Sequence, residues 1–501
     1  MFGIDYFKKK FKERVLDQRN SDDLALIDDA FSAIDKHRGY FEEVELIYEA
    51  KYPEQKLKEL MEYNINAIYV PFARDCVNAI SGQFVSAFFS GRDPIEFSGE
   101  QKELIAQLNK FISQELYRAK PTTELLAVFI STLVYGFGCA MIRWDEEKRL
   151  PITTCLPIDA FALDPKATNI IDSKYCCYRQ SISFFDAKTM YGEENLKNIK
   201  IADYDRIEVK EIYKQIHLEV GGKKIRVWKI KTFIDRELVK EDVTTVLPFY
   251  YGYAIKKLPK RKKDPNKKEI SYFGGSIIDL LSSYQDELNK KRNQKIAADD
   301  NAINPRVLYT SDFPIEITQS GAGTAKQVSS LDSYRIYEGG NAVSVDRDID
   351  SLRDEAMRAA GLNSINMGQT GASDRRSFNA LSFINANSGV RVEQMIVTVM
   401  ETLFHNWALG FVQEIRTRSD NMLLNLVDTS RMKINFGSPT AVAQRIQELT
   451  QALQITSQSK NVDPSLNNDI IAELLTNILG KDYDPQKFFK KEESPESMGI
   501  L

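Results

Sequence analysis

Five cysteines and three histidines are the residues best suited to hold a metal or act as nucleophiles. Cys76, Cys139, Cys155, Cys176 and Cys177 show no CxxC spacing, and the adjacent Cys176 and Cys177 are poorly placed to share one ion. An odd set of thiols without such spacing reads as reduced cysteines in a cytosol. His37, His217 and His405 lie far apart, with no HExxH or His-rich cluster, so no metal is predicted. The stretch from Gly321 to Lys326, GAGTAK, has the glycines of a phosphate loop. It lacks the GK[ST] ending and no buried strand leads into it, so it reads as a flexible loop. Gly136-Phe137-Gly138 precedes a strand rather than a helix and is no dinucleotide fingerprint. No GxSxG occurs, no carboxylate cluster stands at a strand end to hold magnesium, and nothing assembles a nucleophile, a base and an orienting group. The expectation is a protein without catalytic residues or cofactor, and not an enzyme.

At 501 residues the chain is too long for one core, so two to four structural regions are expected. A content of 43% hydrophobic and 28% charged residues fits a folded, soluble protein. The net charge of −4 argues against sustained tight binding of nucleic acid, which calls for a basic surface. It suits a surface past which a polyanion must slide, because counterion release drives sticking. The N-terminal MFGIDYFKKKFKERV is basic and amphipathic but has no apolar core with a cleavage site, so no secretory signal is read. Leu125 to Ile142 is uncharged and just reaches membrane-spanning length. Ser131, Thr132, Gly136 and Gly138 within it, and Arg143 and Asp145 after it, fit a core helix ending near Gly136 and then a strand through Cys139–Trp144.

The elements that would position any site follow from periodicity. Up to about Glu62 the chain reads as charged helices, with Ala25, Ile27, Phe31 and Ile34, then Val44, Ile47 and Tyr48, at helical spacing. Further helices are predicted over Ile68–Phe89, with Val77, Ile80, Phe84, Ala87 and Phe88 inward, over Gln101–Tyr117, and after Pro121. Met141–Trp144, Ile152–Pro157 and Tyr175–Ser183 read as strands. From Arg206 to Ile255 the chain is strand-rich and ends in Leu247-Pro248-Phe249; IHLEV, Gly221-Gly222 and KKIRVWKIK form a hairpin signal. Lys260-Arg261-Lys262-Lys263, with Lys267 and Lys268, reads as a solvated loop. A helix from Ser276 to about Asn301 has Ile277, Leu280, Leu281, Tyr284 and Leu288 on an apolar side, then a half that is polar nearly all round. Such a half is expected to span solvent or pack against copies of itself. Pro305 ends it. Arg306–Val345 is a mixed segment, with strand-like Val307–Tyr309 and Tyr334–Tyr337 and a Gly/Ser-rich loop near Ser320–Thr324. A second helix over Asp348–Ala360 stops at Gly361, and a small-polar loop runs from Leu362 to about Ser373. A long helix from Asp374 to about Thr417, interrupted only by Gly389, has Val392, Met395, Ile396, Val399, Leu403, Trp407 and Phe411 as its seam. Amphipathic helices over Ala441–Ile455 and Asn468–Leu479 and a mobile tail complete the reading. The fold class is α+β, predominantly helical.

This order of elements resembles the portal proteins of tailed bacteriophages. The residues that carry the resemblance are the Leu-Pro-Phe segment, Gly274-Gly275-Ser276 opening a long helix with Gln285, Asn289 and Asn293, and Pro305-Arg306 opening the mixed segment. Phe161-Ala-Leu-Asp164-Pro165, after Leu156-Pro157-Ile158-Asp159, adds to it; the resemblance spans about Tyr69 to Gln413. It implies a wing over residues 1–273, strand-rich over 139–260, and a first stem helix over 274–304. A clip over 305–346 and a second stem helix over 347–361 follow. Last come a tunnel loop over 362–374 and a long helix with a crown over 375–501. It implies a homo-oligomeric ring, usually of twelve copies, at one vertex of a virion capsid, assembled in the host bacterial cytoplasm. Its partners would be the major capsid protein, the terminase large subunit, a head-tail adaptor and the double-stranded DNA passing through, with no membrane.

Residues placed by the resemblance are Asn363, Ser364, Asn366, Gln369, Thr370, Arg375 and Arg376 facing DNA, and Arg306, Lys326 and Tyr334 at the docking clip. Lys290, Lys291, Arg292, Lys295 and Asp299 would set the register between copies or touch phosphates loosely. Arg375 and Arg376 read equally as helix-surface salt bridges. A capsid scaffold or tail adaptor, a DNA-processing enzyme with an unrecognised site, and a peripheral membrane protein held by the basic N-terminus stay open as alternatives.

Overall fold

The computed structural model describes residues 20–62, 67–89, 95–97, 102–167, 173–197, 199, 201–202, 204–220, 223–257, 272–303, 307–309, 325–327, 342–362, 390–418 and 432–434. Three helices come first: α1 (Asn20–Asp35), α2 (Arg38–Glu49) and α3 (Glu54–Glu62). Ile27, Phe31 and Ile34 turn inward along α1 as their spacing predicts, whereas Ala25 is exposed. Two residues from Ile27 is about 200° around a helix, which puts Ala25 on the far side; Ala30 and Ala33 fill the inner positions instead.

Residues 67–71 form no regular element and α4 (Phe72–Phe89) starts only after Pro71, so the helix expected from Ile68 begins later. Proline has no N–H and pushes the residue before it out of helical geometry. The short strand β1 (Ile95–Phe97), α5 (Lys102–Ala119) and α6 (Thr122–Val134) follow. Leu125, Val128, Phe129 and Leu133 bury α6 in the core, and the chain turns at Gly136 into β2 (Gly138–Asp145). The uncharged stretch is therefore a core helix and a strand, as read.

β2, β3 (Leu150–Cys155) and the later β9 (Phe249–Gly252) form an antiparallel sheet in the order β3-β2-β9. The strand β9 starts at Phe249 of the Leu-Pro-Phe segment and lies within the strand-rich part read from Arg206 to Ile255. A five-stranded antiparallel sheet holds β4 (Phe161–Leu163), β5 (Tyr175–Ser183), β6 (Arg206–Val220), β7 (Lys223–Ile234) and β8 (Glu237–Thr244) in chain order; helix α7 (Phe184–Tyr191) lies between β5 and β6. Val220 stands opposite Lys223, so β6 and β7 pair as the hairpin signal predicts. Phe137, Phe161, Tyr178, Tyr213, Phe249 and Tyr272 pack into an aromatic cluster that joins the two sheets.

Helix α8 (Ile277–Ile303) leads to the short parallel pair β10 (Val307–Tyr309) and β11 (Ala325–Gln327), and α9 (Ala342–Ala360) returns. The helix α10 (Val390–Val399) widens into a π turn at Met400–Phe404 and continues as α11 (His405–Arg418). Val392, Met395, Ile396, Val399, Leu403, Trp407 and Phe411 are all buried, as the seam predicts. This helix is long and apolar enough to cross a membrane, but most of it is buried inside the fold, and Trp407 Nε1 donates to Thr153 Oγ1 at 3.0 Å. The π turn has no periodicity signal; it sits where Gly252 of β9 comes so close that a Cβ there would meet Thr402 Oγ1 at 2.5 Å. Strand β12 (Met432–Ile434) pairs with β1. The predicted extension of the long helix over 374–389, the helices over 441–455 and 468–479, the tail and the lysine run at 260–268 lie outside the described residues. The architecture is α+β.

Helix α1 lies on a face of the large sheet that carries Arg179, Lys210, Lys214, Lys229 and Lys231 in neighbouring rows. The Asp23 carboxylate, nearly fully buried, accepts from Lys231 at 2.6 Å and also from Lys214. Burial works against its charge, but the bonds and charges of the two lysines outweigh it and hold the carboxyl below its ordinary 3.8. The stability this supplies is complete above pH 3.8 and is lost as pH falls through the lowered folded value. Asp23→Ala takes the carboxylate from two lysines of one buried cluster and should cost about 3–5 kcal/mol in urea unfolding. The variant should also lose part of the acid-side fall in stability. A cost below about 1 kcal/mol would mean that the cluster is solvated.

Candidate channel-forming helices

Helix α8 is fixed at its start by close backbone packing. Gly274 N–H donates to Gly136 O at 2.8 Å and Gly275 N–H to Ile255 O at 2.7 Å. A Cβ on Gly136 would stand 2.5 Å from Gly274 O, and Gly136 already holds φ +76°, so only glycine fits. Ser276 caps the helix: its Oγ accepts from Ile278 N–H at 2.9 Å and donates to Val134 O at 2.6 Å. This ties the end of α6 to the start of α8.

Ile277, Ile278, Leu281 and Leu288 are buried, but Leu280 is 44% exposed, against the apolar side drawn from sequence. It stands about 200° from Ile278 around the helix. The half read as polar nearly all round is not so. Gln285, Asn289 and Asn293 are buried at 0, 2 and 7% exposure and point along one face at four-residue spacing. They bind the backbone of residues 68–73 of the same chain. Ala73 N–H donates to Gln285 Oε1 at 2.9 Å, Val70 N–H to Asn289 Oδ1 at 2.8 Å and Ile68 N–H to Asn293 Oδ1 at 3.1 Å. Gln285 Nε2 returns a bond to Val70 O at 2.6 Å, and Asn293 Nδ2 donates to Ile68 O at 3.2 Å and to Tyr52 Oη at 3.1 Å. The amides thus act as a neighbouring strand would, and this face packs within the chain, not against another copy. Neither Tyr52 nor the segment was found from sequence; the four-residue amide spacing was the available signal.

Further along, Lys291 Nζ bonds Asp348 Oδ2 at 2.8 Å and Lys295 bonds Asp346. Both acids belong to α9, which starts at Ala342, ahead of the predicted Asp348, so the segment read as clip is shorter on that side. The Asp348 bond holds the Lys291 ammonium above the usual lysine range. Lys291 and Lys295 therefore join the two helices of one hairpin, where the sequence assigned them to contacts between copies or to phosphates. Lys290 and Arg292 are exposed, without an ion pair among the described residues, and Asp299 is half-buried. Lys326 lies in β11. Arg306, Tyr334, Asn363, Ser364, Asn366, Gln369, Thr370, Arg375 and Arg376 lie outside the described residues.

Burial pushes the Cys76 and Cys155 thiols up to about 12, and those of Cys139, Cys176 and Cys177 are also raised. No group of three or more metal-ligating side chains stands together among the described residues. A cleft beside α1 contains Arg179, Lys210, Asp28 and Asp35, but Arg179 pairs with Asp35 at 2.9 Å and Lys210 with Asp28 at 3.6 Å.

No protein-family model matches the sequence, and no curated protein matches it. Among solved structures, a chain from the neck of an empty GTA particle, computed with C6 symmetry, is similar at 13% identity and a TM-score of 0.39. That match covers 83% of this chain and 93% of the other.

Asn289→Ala removes the acceptor of Val70 N–H and of Gln285 Nε2 at 3.0 Å. Leaving the half-buried Val70 donor unmet should cost about 1 kcal/mol. Hydrogen exchange at Val70 should rise more than at Phe129 in the α6 core; equal changes at both would show that the amide does not hold the segment.

Proposed function

We propose that this chain is a subunit of a tailed-phage portal, a ring channel at one capsid vertex through which DNA is packaged and ejected. The observation that carries the reading is the hairpin of α8 and α9. A helix rooted in the core leaves it and is tied to a returning helix by Lys291–Asp348 and Lys295–Asp346, with a small strand pair between the two. This is the order in which the sequence resemblance sets stem, clip and stem. A bundle of such hairpins around an axis makes a passage, and head-to-tail contacts that close under rotation make a ring, of twelve copies on this reading.

On the same reading the sheets and α1–α7 form the wing toward the major capsid protein. The β10–β11 end docks the terminase large subunit during packaging and the head-tail adaptor afterwards. The protein itself turns over no substrate; a separate ATPase supplies the energy. A net charge of −4 supports passage of duplex DNA without retention.

Native mass measurement and negative-stain imaging of the purified protein test this. The expected particle is a ring with a central hole and about twelve times the 57.2 kDa chain mass. If no ring forms even with capsid and scaffold proteins present, the portal reading is wrong.

A further inference from the structure

We infer that Arg391 is a positioning residue that ties the C-terminal end of α9 to the first turn of α10. The inference goes beyond the channel reading and does not depend on it. On the leaving side, α9 closes on Gly361 in left-handed conformation, φ +79°. Gly361 N–H donates to Arg358 O at 3.1 Å and Leu362 N–H to Met357 O at 2.8 Å. That pattern ends a helix firmly and satisfies its last carbonyls. Leu362 is then buried at 1% exposure in the same core as Val392 at 0% on the returning side.

Arg391 bridges the two sides. Its Nη1 donates to the carbonyl of Ala359 at 2.9 Å, a cation on the negative end of α9. Its stem lies against Gly361 so closely that a Cβ on that glycine would stand 2.7 Å from Arg391 Cβ. The last residues of α9 and the first turn of α10 therefore meet at this one place. Without the tie, α9 and α10 would still share the core that holds Ala356, Met357, Ala360, Leu362, Val392 and Ile396. With it, their ends are also bonded to each other.

The test is a distance distribution between nitroxide labels on the exposed Glu355→Cys and Gln394→Cys positions, measured by double electron–electron resonance. The native thiols are buried or half-buried, and burial raises them all, so they react slowly at neutral pH. Two variants are compared. Arg391→Lys keeps a cationic donor, whereas Arg391→Met keeps a stem against Gly361 and has no donor. The expected result is one narrow distance in the parent and in R391K, and a distribution at least twice as broad in R391M. The melting temperature of R391M should stay within about 3 °C of the parent, because one hydrogen bond is lost from a large fold. The inference is overturned if R391M gives the parent's narrow distance, or if R391M and R391K are indistinguishable. The labelled chain is diluted into an excess of unlabelled protein, so that the distance reports within one chain and the result stands apart from whether a ring forms.

Discussion

Gln285, Asn289 and Asn293 are buried on one face of α8, and a buried amide must find hydrogen-bond partners or the fold loses stability. Their oxygens accept from the N–H groups of Ile68, Val70 and Ala73, and the amide nitrogens of Asn293 and Gln285 donate to Ile68 O and Val70 O, while Asn289 Nδ2 has no partner among the described residues. The path of the chain between α3 and α4 and the polar composition of the middle of α8 are two sides of one requirement.

From this follows the dual character of α8. Its first turns are anchored by the Gly136–Gly274 contact, the Ser276 cap and the apolar core. Its middle is held by amide bonds, and its later turns are held to α9 by exposed lysine–aspartate pairs. Exposed ion pairs of this kind contribute little energy, so the amide bonds and the apolar core hold α8 more firmly than these pairs do.

Much of the fold was legible in the sequence. Strand Tyr175–Ser183, the hairpin about Gly221-Gly222, the core helix and strand within Leu125–Ile142, and the seam from Val392 to Phe411 all rest on local periodicity or turn chemistry, and they stand. What was missed depends on contacts distant in sequence. The amides of α8 looked like solvent-facing polar residues because their partners lie more than 200 positions away. Lys291 and Lys295 looked available for another chain for the same reason, since Asp348 and Asp346 lie beyond the β10–β11 segment. The π turn and the late start of α4 answer to the close approach of β9 and to Pro71. Of the candidate site, the order of helix, small strands and helix was readable, and the bonds that hold it together were not.

The central claim is that α8 and α9 line a passage. Electron cryomicroscopy of the assembled particle, with these chains traced, tests it most directly. The account predicts a closed ring in which the α8–α9 pairs surround the axis, the β10–β11 ends gather at one mouth, and the two larger sheets lie outermost. A closed ring with the α8–α9 pairs on its outer rim, or an open filament of subunits, would contradict it.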